Sequence, residues 1–143
     1  MSTIKKKLSY FPGCSLATTA KENNDSLISF LAHFNIELTQ VEDWNCCGSS
    51  STHSINAKLA LPLAARNLFI TPKNKPLLVA CPGCFLRLEQ ARLELNDSKE
   101  KQALFEKKFE RPYNKDLKLL HFFELLSDMH DAGLLNNLKG RLN

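Results

Sequence analysis

The run Leu77-Leu78-Val79-Ala80 is apolar at every position. A strand of this kind has no solvated face, so it belongs in the middle of a parallel sheet covered by helices on both sides. The flanking sequence supplies what such a sheet needs. Lys7 to Phe11 is a short β-type run ended by Pro12-Gly13. Thr19-Ala-Lys-Glu22 has the form of a capping box, and the stretch after it sets Leu27, Phe30, Leu31 and Phe34 on one helical face. Ile36 to Val41 reads as a second strand. Ile55 to Phe69 reads as a helix with Leu59, Leu63 and Ala64 inward, and Pro62 is expected to kink it or move its start. After the apolar strand, Cys84 to Leu95 is helical, and Asp97-Ser-Lys-Glu100 caps a further helix that stops before Pro112. Leu117 to Leu120 is a fourth strand. Phe122, Leu125, Leu126 and Met129 then share a helix face closed by Gly133. Strand and helix alternate four times. The expectation is one α/β domain with a small, mostly parallel sheet flanked by helices, built from Rossmann-like βαβ units with right-handed crossovers.

The five cysteines fall at one place in this pattern. Cys14 follows the first strand, Cys46 and Cys47 follow the second, Cys81 closes the third, and Cys84 opens the helix after it. In a parallel sheet these strand ends share the carboxyl edge, where α/β folds place their sites. All five sulfurs are therefore expected to converge, with none spent in the core. Adjacent cysteines such as Cys46 and Cys47 make a strained disulfide, and an odd number cannot pair fully. Five thiolates also exceed the four of a structural zinc site, whereas iron–sulfur clusters are held by several thiolates. Gly48 and the glycines of Pro12-Gly13-Cys14 and Pro82-Gly83-Cys84 would let backbone approach a cluster. The loops lead into helices whose N-termini favour negative charge. Zinc on four of the sulfurs, a Cys81-x-x-Cys84 dithiol acting alone, and a set of free thiols remain as competing readings.

Composition narrows the classes. The chain has 143 residues, 43% apolar and 24% charged, with a net charge of +4; lysines and acids interleave, as on a solvated surface, so no nucleic-acid partner is expected. No apolar run reaches membrane-spanning length, and the stretch after Lys5-Lys6-Lys7 breaks too early for a signal peptide. A cytoplasmic protein with reduced thiols is expected. No GxGxxG is present for flavin or nicotinamide, so electrons would have to come from another subunit.

The constellation Cys14, then Cys46-Cys47-Gly48, then Cys81-Pro82-Gly83-Cys84 resembles the cysteine-rich CCG domain, the hallmark of the B subunit of heterodisulfide reductase and its relatives. Phe11-Pro12-Gly13-Cys14, the run Ala64-Ala65-Arg66-Asn67-Leu68 and His121 extend the resemblance over nearly the whole chain. It implies that Cys14, Cys46, Cys47, Cys81 and Cys84 ligate a noncubane [4Fe–4S] cluster that cleaves or forms a disulfide, with zinc as the alternative because some CCG domains hold it. It also implies flavin and iron–sulfur partner subunits, a disulfide or thiol substrate, and membrane association only through partners. Fumarate reductase- and succinate dehydrogenase-type complexes are among the relatives. Family members carry two such domains in tandem, so residues 1–143 are expected to be the first of the two. Its missing half would be supplied by the rest of a longer protein, by a partner chain, or by a second copy in a homodimer.

Beside the cysteines, His53 and His121 are candidate proton donors, each with a polar or capping role as the favoured reading. Ser49 to Ser51 are candidate donors to cluster sulfides or plain loop caps. Trp44 is expected to pack beside the second strand rather than shield a cluster.

Overall fold

A computed structural model describes residues 6–49 and 56–138. The elements in chain order are β1 (Lys6–Phe11), α1 (Gly13–Ala17), α2 (Lys21–His33), β2 (Ile36–Gln40), α3 (Ala57–Ile70), β3 (Leu77–Val79), α4 (Pro82–Asp97), α5 (Lys99–Phe109), β4 (Leu119–His121) and α6 (Phe122–Asp131), followed by a 3-10 turn (Leu134–Leu138). The four strands form one sheet in the order β2-β1-β3-β4. Every pairing is parallel: Tyr10 lies beside Gln40, Phe11 beside Val79, and Val79 beside His121. The α/β expectation therefore holds, and the sheet is parallel throughout.

Strand alternation divides the core in two. Phe11, Leu77, Val79 and Leu119 point to the face covered by α3, α4 and α5, where Ala64, Ala65, Leu68, Leu88, Ala91, Leu95 and Phe105 meet them. Leu8, Tyr10, Leu78 and Leu120 point to the other face, against Leu27 and Leu31 of α2 and Leu125 and Met129 of α6. Each fully buried leucine contributes on the order of 2 kcal/mol. The strand order explains the layers. The chain moves one way from β1 to β2, then reverses to reach β3, so right-handed crossovers put α2 on one face and α3 on the other. The reversal falls between β1 and β3, the position at which open parallel sheets leave a crevice at their carboxyl ends.

Several local expectations are corrected. Thr19 does not cap α2, whose N-cap is Ala20 without a side-chain bond. The Thr19 hydroxyl instead donates back to the Ser15 carbonyl at 3.5 Å, because the chain makes the short helix α1 straight after β1. Leu59 is 49% exposed rather than inward. Pro62 does not set the start of α3: Asn56 caps the helix by accepting from the Lys58 N–H at 3.0 Å, and Pro62 lies in its second turn. The helix after β3 begins at Pro82, two residues before Cys84, with the proline in the first turn where its missing N–H costs nothing. Within the expected Asp97–Glu100 stretch it is Ser98 that caps α5, accepting from the Lys101 N–H at 3.2 Å.

Candidate metal centre at the carboxyl edge of the sheet

The thiols sit where β1, β2 and β3 end. Cys47 and Cys84 are the buried pair, 2% and 4% exposed, with their sulfurs 3.2 Å apart. Cys46 hydrogen-bonds to Cys47, and Cys81 to Cys84. The Cys46 sulfur also accepts from the Gly48 N–H at 3.4 Å. Four of the five expected sulfurs thus form a connected set. Cys14 lies at the same edge in α1 but is exposed. Its neighbour Gly13 makes the connection: at φ +76°, a Cβ built there would come 2.9 Å from the Cys84 sulfur and 4.0 Å from Cys81 Cβ. The β1 loop therefore presses backbone directly onto the thiol pair, a fit that needs glycine.

The pair shares its protons unequally. The hydrogen bond from Cys84 holds Cys47 down to about 6 against the opposing effect of burial, and the backbone N–H groups of Ser49 and Cys47 and the Cys46 thiol help. The same bond pushes Cys84 up, reinforced by burial and by the charges of Cys47 and Cys81. Above pH 6 or so, Cys47 is a thiolate and Cys84 keeps its proton. The ultraviolet absorbance of thiolate in metal-free protein should therefore show one thiol ionising near pH 6. Cys84→Ala should move that step up toward the ordinary thiol value of about 8.5. A step that stays in place would contradict the assignment.

The donor chemistry suits a thiolate-bound metal group, since soft sulfur ligands select zinc and iron–sulfur clusters. Among the described residues, no three His, Cys, Asp or Glu side chains close around a single ion. The 3.2 Å sulfur separation is also shorter than the roughly 3.8 Å edge of a tetrahedral zinc site with 2.3 Å bonds.

His121 has the capping role. Its Nδ1 accepts from the Phe123 N–H at 3.3 Å, while Glu124 accepts from the His121 N–H at 2.9 Å, a reciprocal cap on α6. In the neutral ring Nε2 then carries the hydrogen, and that atom is buried with no partner among the described residues. The ring stands edge-on to Phe85, the residue after Cys84, at 5.3 Å. His121 is therefore both a cap and an unspent donor at the site edge. Trp44 packs edge-on against Phe11 at 5.4 Å, at the end of β1 rather than beside β2. Ser49 lies against Gly83, where an added Cβ would sit 2.7 Å from its Oγ. Ser50, Ser51 and His53 lie outside the described residues.

Sequence reasoning missed the group that holds the Cys46–Cys47 loop: Asp43, Asn45, Arg66 and Asn67. The signal was a polar Arg66-Asn67 pair directly after the inward Ala64-Ala65 of α3. Asn67 is 0% exposed, and a buried asparagine in a helix has to be answering another polar group.

A parallel α/β sheet whose carboxyl edge gathers thiols at the strand reversal defines a cysteine-rich metal- or redox-type module. The chain belongs to the cysteine-rich CCG domain family, whose sequence model matches residues 8–89. Over 94 residues it is 34% identical to the 8-methylmenaquinol:fumarate reductase membrane anchor subunit of Wolinella succinogenes. That match covers 65% of this chain and 33% of the relative, so the chain aligns with about a third of the relative's length. No helix among the described residues is long and apolar enough to cross a membrane.

Proposed function

We propose that this chain is the cysteine-rich redox module of a multi-subunit oxidoreductase, and that Cys14, Cys46, Cys47, Cys81 and Cys84 ligate a noncubane [4Fe–4S] cluster at the carboxyl edge of the sheet. The observation that carries the reading is the buried Cys47–Cys84 pair, one member of which is held as thiolate, with Cys46 and Cys81 bonded to it. The fumarate reductase subunit among its relatives supports a redox complex as the setting. When bound, the cluster would supply one-electron chemistry to a disulfide or thiol substrate. The chain's own part is to bury Cys47 and Cys84 together and hold Cys47 as thiolate, and to offer the His121 Nε2–H as a donor at the same edge of the sheet.

Partners follow from what surrounds the site. Leu59, Leu86 and Phe123 are exposed, and all three stand in the opening turns of helices that begin at the carboxyl edge. We assign this apolar rim to a second CCG domain, which would cover the site, with flavin and iron–sulfur subunits supplying electrons and any membrane attachment. The chain would then be the first half of a two-domain unit and inactive alone. One-electron dye titration of anaerobically prepared protein, followed by visible absorption, is the test: reversible bleaching is expected, and a protein with no visible band or an unbleachable one contradicts a redox role.

A second reading has one observation in its favour. Four thiols form the connected set and Cys14 stands outside it, exposed, which is the donor count of structural zinc. In that case the module would serve assembly of a succinate dehydrogenase- or fumarate reductase-type complex rather than electron transfer.

A further inference from the structure

Residues 41–49, which present Cys46 and Cys47 after β2, form neither strand nor helix, so their backbone polar groups need partners from elsewhere. Asn67 provides them. Its Oδ1 accepts from the Asn45 N–H at 2.9 Å, and its Nδ2 donates to the Asn45 carbonyl at 2.8 Å. One side-chain amide thus pairs with both peptide groups of one residue, as a neighbouring strand would. The contact passes on to the cysteines, because Asn45 Nδ2 donates to the Cys46 carbonyl at 2.9 Å and to the Leu63 carbonyl at 3.0 Å. Arg66 closes the outer side. Its Nη1 donates to the Asp43 carbonyl at 2.7 Å and to Asn45 Oδ1 at 2.9 Å, and its Nη2 pairs with the Asp43 carboxylate. Asp43 itself turns the chain in the left-handed region, at φ 56°.

We propose that Asn67 is the positioning residue of the cysteine site: it fixes the Cys46–Cys47 segment against α3 so that Cys47 meets Cys84 before any metal arrives, with Arg66 as an outer latch. A donor set held in place in this way spends less ordering entropy when it binds metal. The consequence for metal rests on the proposed function; the fixing of the loop does not.

The two are separable by experiment. In metal-free, folded protein, Cys47 and Cys84 are both buried, but Cys84 belongs to a helix and Cys47 to the clamped loop. The readout is the ratio of two amide hydrogen-exchange rates under native conditions, that of Asn45 in the loop and that of Phe85 in α4, whose N–H bonds the Cys81 carbonyl; neither depends on which sulfur holds the proton. Asn67→Asp keeps the acceptor for the Asn45 N–H and loses the donor to the Asn45 carbonyl. It should raise the Asn45-to-Phe85 ratio by roughly tenfold, the scale set by one lost buried hydrogen bond and an acceptor left facing a charge. Leu95→Ala removes core volume at the far end of α4 and is the control for global destabilisation: both rates should rise together and leave the ratio unchanged. Should Asn67→Asp fail to fold, Arg66→Ala tests the outer latch in the same way, with a smaller rise in the same direction. Reconstitution of Asn67→Asp with ferrous iron and sulfide should retain less than about half the wild-type iron, the companion effect of that lost bond. A shifted ratio in a chain that takes up no iron at all would support the clamp and contradict the proposed function. An unchanged ratio in folded Asn67→Asp, or a ratio raised as much in Leu95→Ala as in Asn67→Asp, would overturn the clamp.

Discussion

Gly13→Val should destabilise the metal-free protein by about 2 kcal/mol or more, and should break the contact between Cys47 and Cys84. Gly13 sits at φ +76°, where an L-residue costs about 1–2 kcal/mol and a β-branched one more. A Cβ there also lands 2.9 Å from the Cys84 sulfur, which is packed in the core and has little room to retreat. Gly83→Ala is the comparison. Gly83 takes an ordinary backbone conformation, and its added Cβ would meet the hydroxyl of Ser49, an exposed side chain that can rotate away. Its cost should stay within about 0.5 kcal/mol, the usual range for tolerated substitutions. Thermal unfolding measures the stability difference, and the thiolate step near pH 6 reports the sulfur contact. Equal melting temperatures for the two variants would show that the β1 loop does not press on the thiol pair.

The other large effect is expected from single serine replacements, and Cys14 is the informative one. Cys47→Ser and Cys84→Ser each break the buried pair, so both should bind little metal whether the site takes a cluster or zinc. Cys14→Ser divides the two readings. If five thiolates hold the cluster, exposed Cys14 is one of them, and its loss should remove most of the iron after anaerobic reconstitution, since losing even a group that only hydrogen-bonds a ligand costs about 10–100-fold in affinity. If zinc sits on the connected four, Cys14→Ser should leave metal content unchanged. Ser49→Ala, beside Gly83, should be neutral in either case.

How much of this could be read from the sequence depended on whether a signal was local. The wholly apolar Leu77–Val79 strand announced a sheet covered on both faces, and the strand–helix alternation fixed its parallel sense. Cysteines placed after successive strands then had to share an edge, because parallel strands end together; that placed the site, and four thiols meet there. Capping was harder. Thr19-x-x-Glu22 had the letters of a capping box, but the φ-positive Gly13 let the chain start α1 early, and Thr19 was drawn into that turn. Pro62 falls inside α3 because the helix starts at the Asn56 cap, and that cap is a single side-chain bond. His121 was legible as a candidate donor and as a cap, but not which nitrogen is left to donate, since that depends on Nδ1 being taken by the Phe123 N–H. The polar Arg66-Asn67 pair signalled that something had to be answered, but not what: the partners are the backbone groups of Asn45, 22 positions earlier in the chain, and hydrophobic periodicity carries no record of them.

Iron, acid-labile sulfide and zinc per chain, determined on protein purified and reconstituted without air, test the central claim most directly. The account predicts iron and sulfide in equal amounts, on the order of four each per chain, as a [4Fe–4S] composition requires, with little zinc. About one zinc per chain with no sulfide, on the same anaerobically handled protein, would contradict it and leave the chain a structural zinc module.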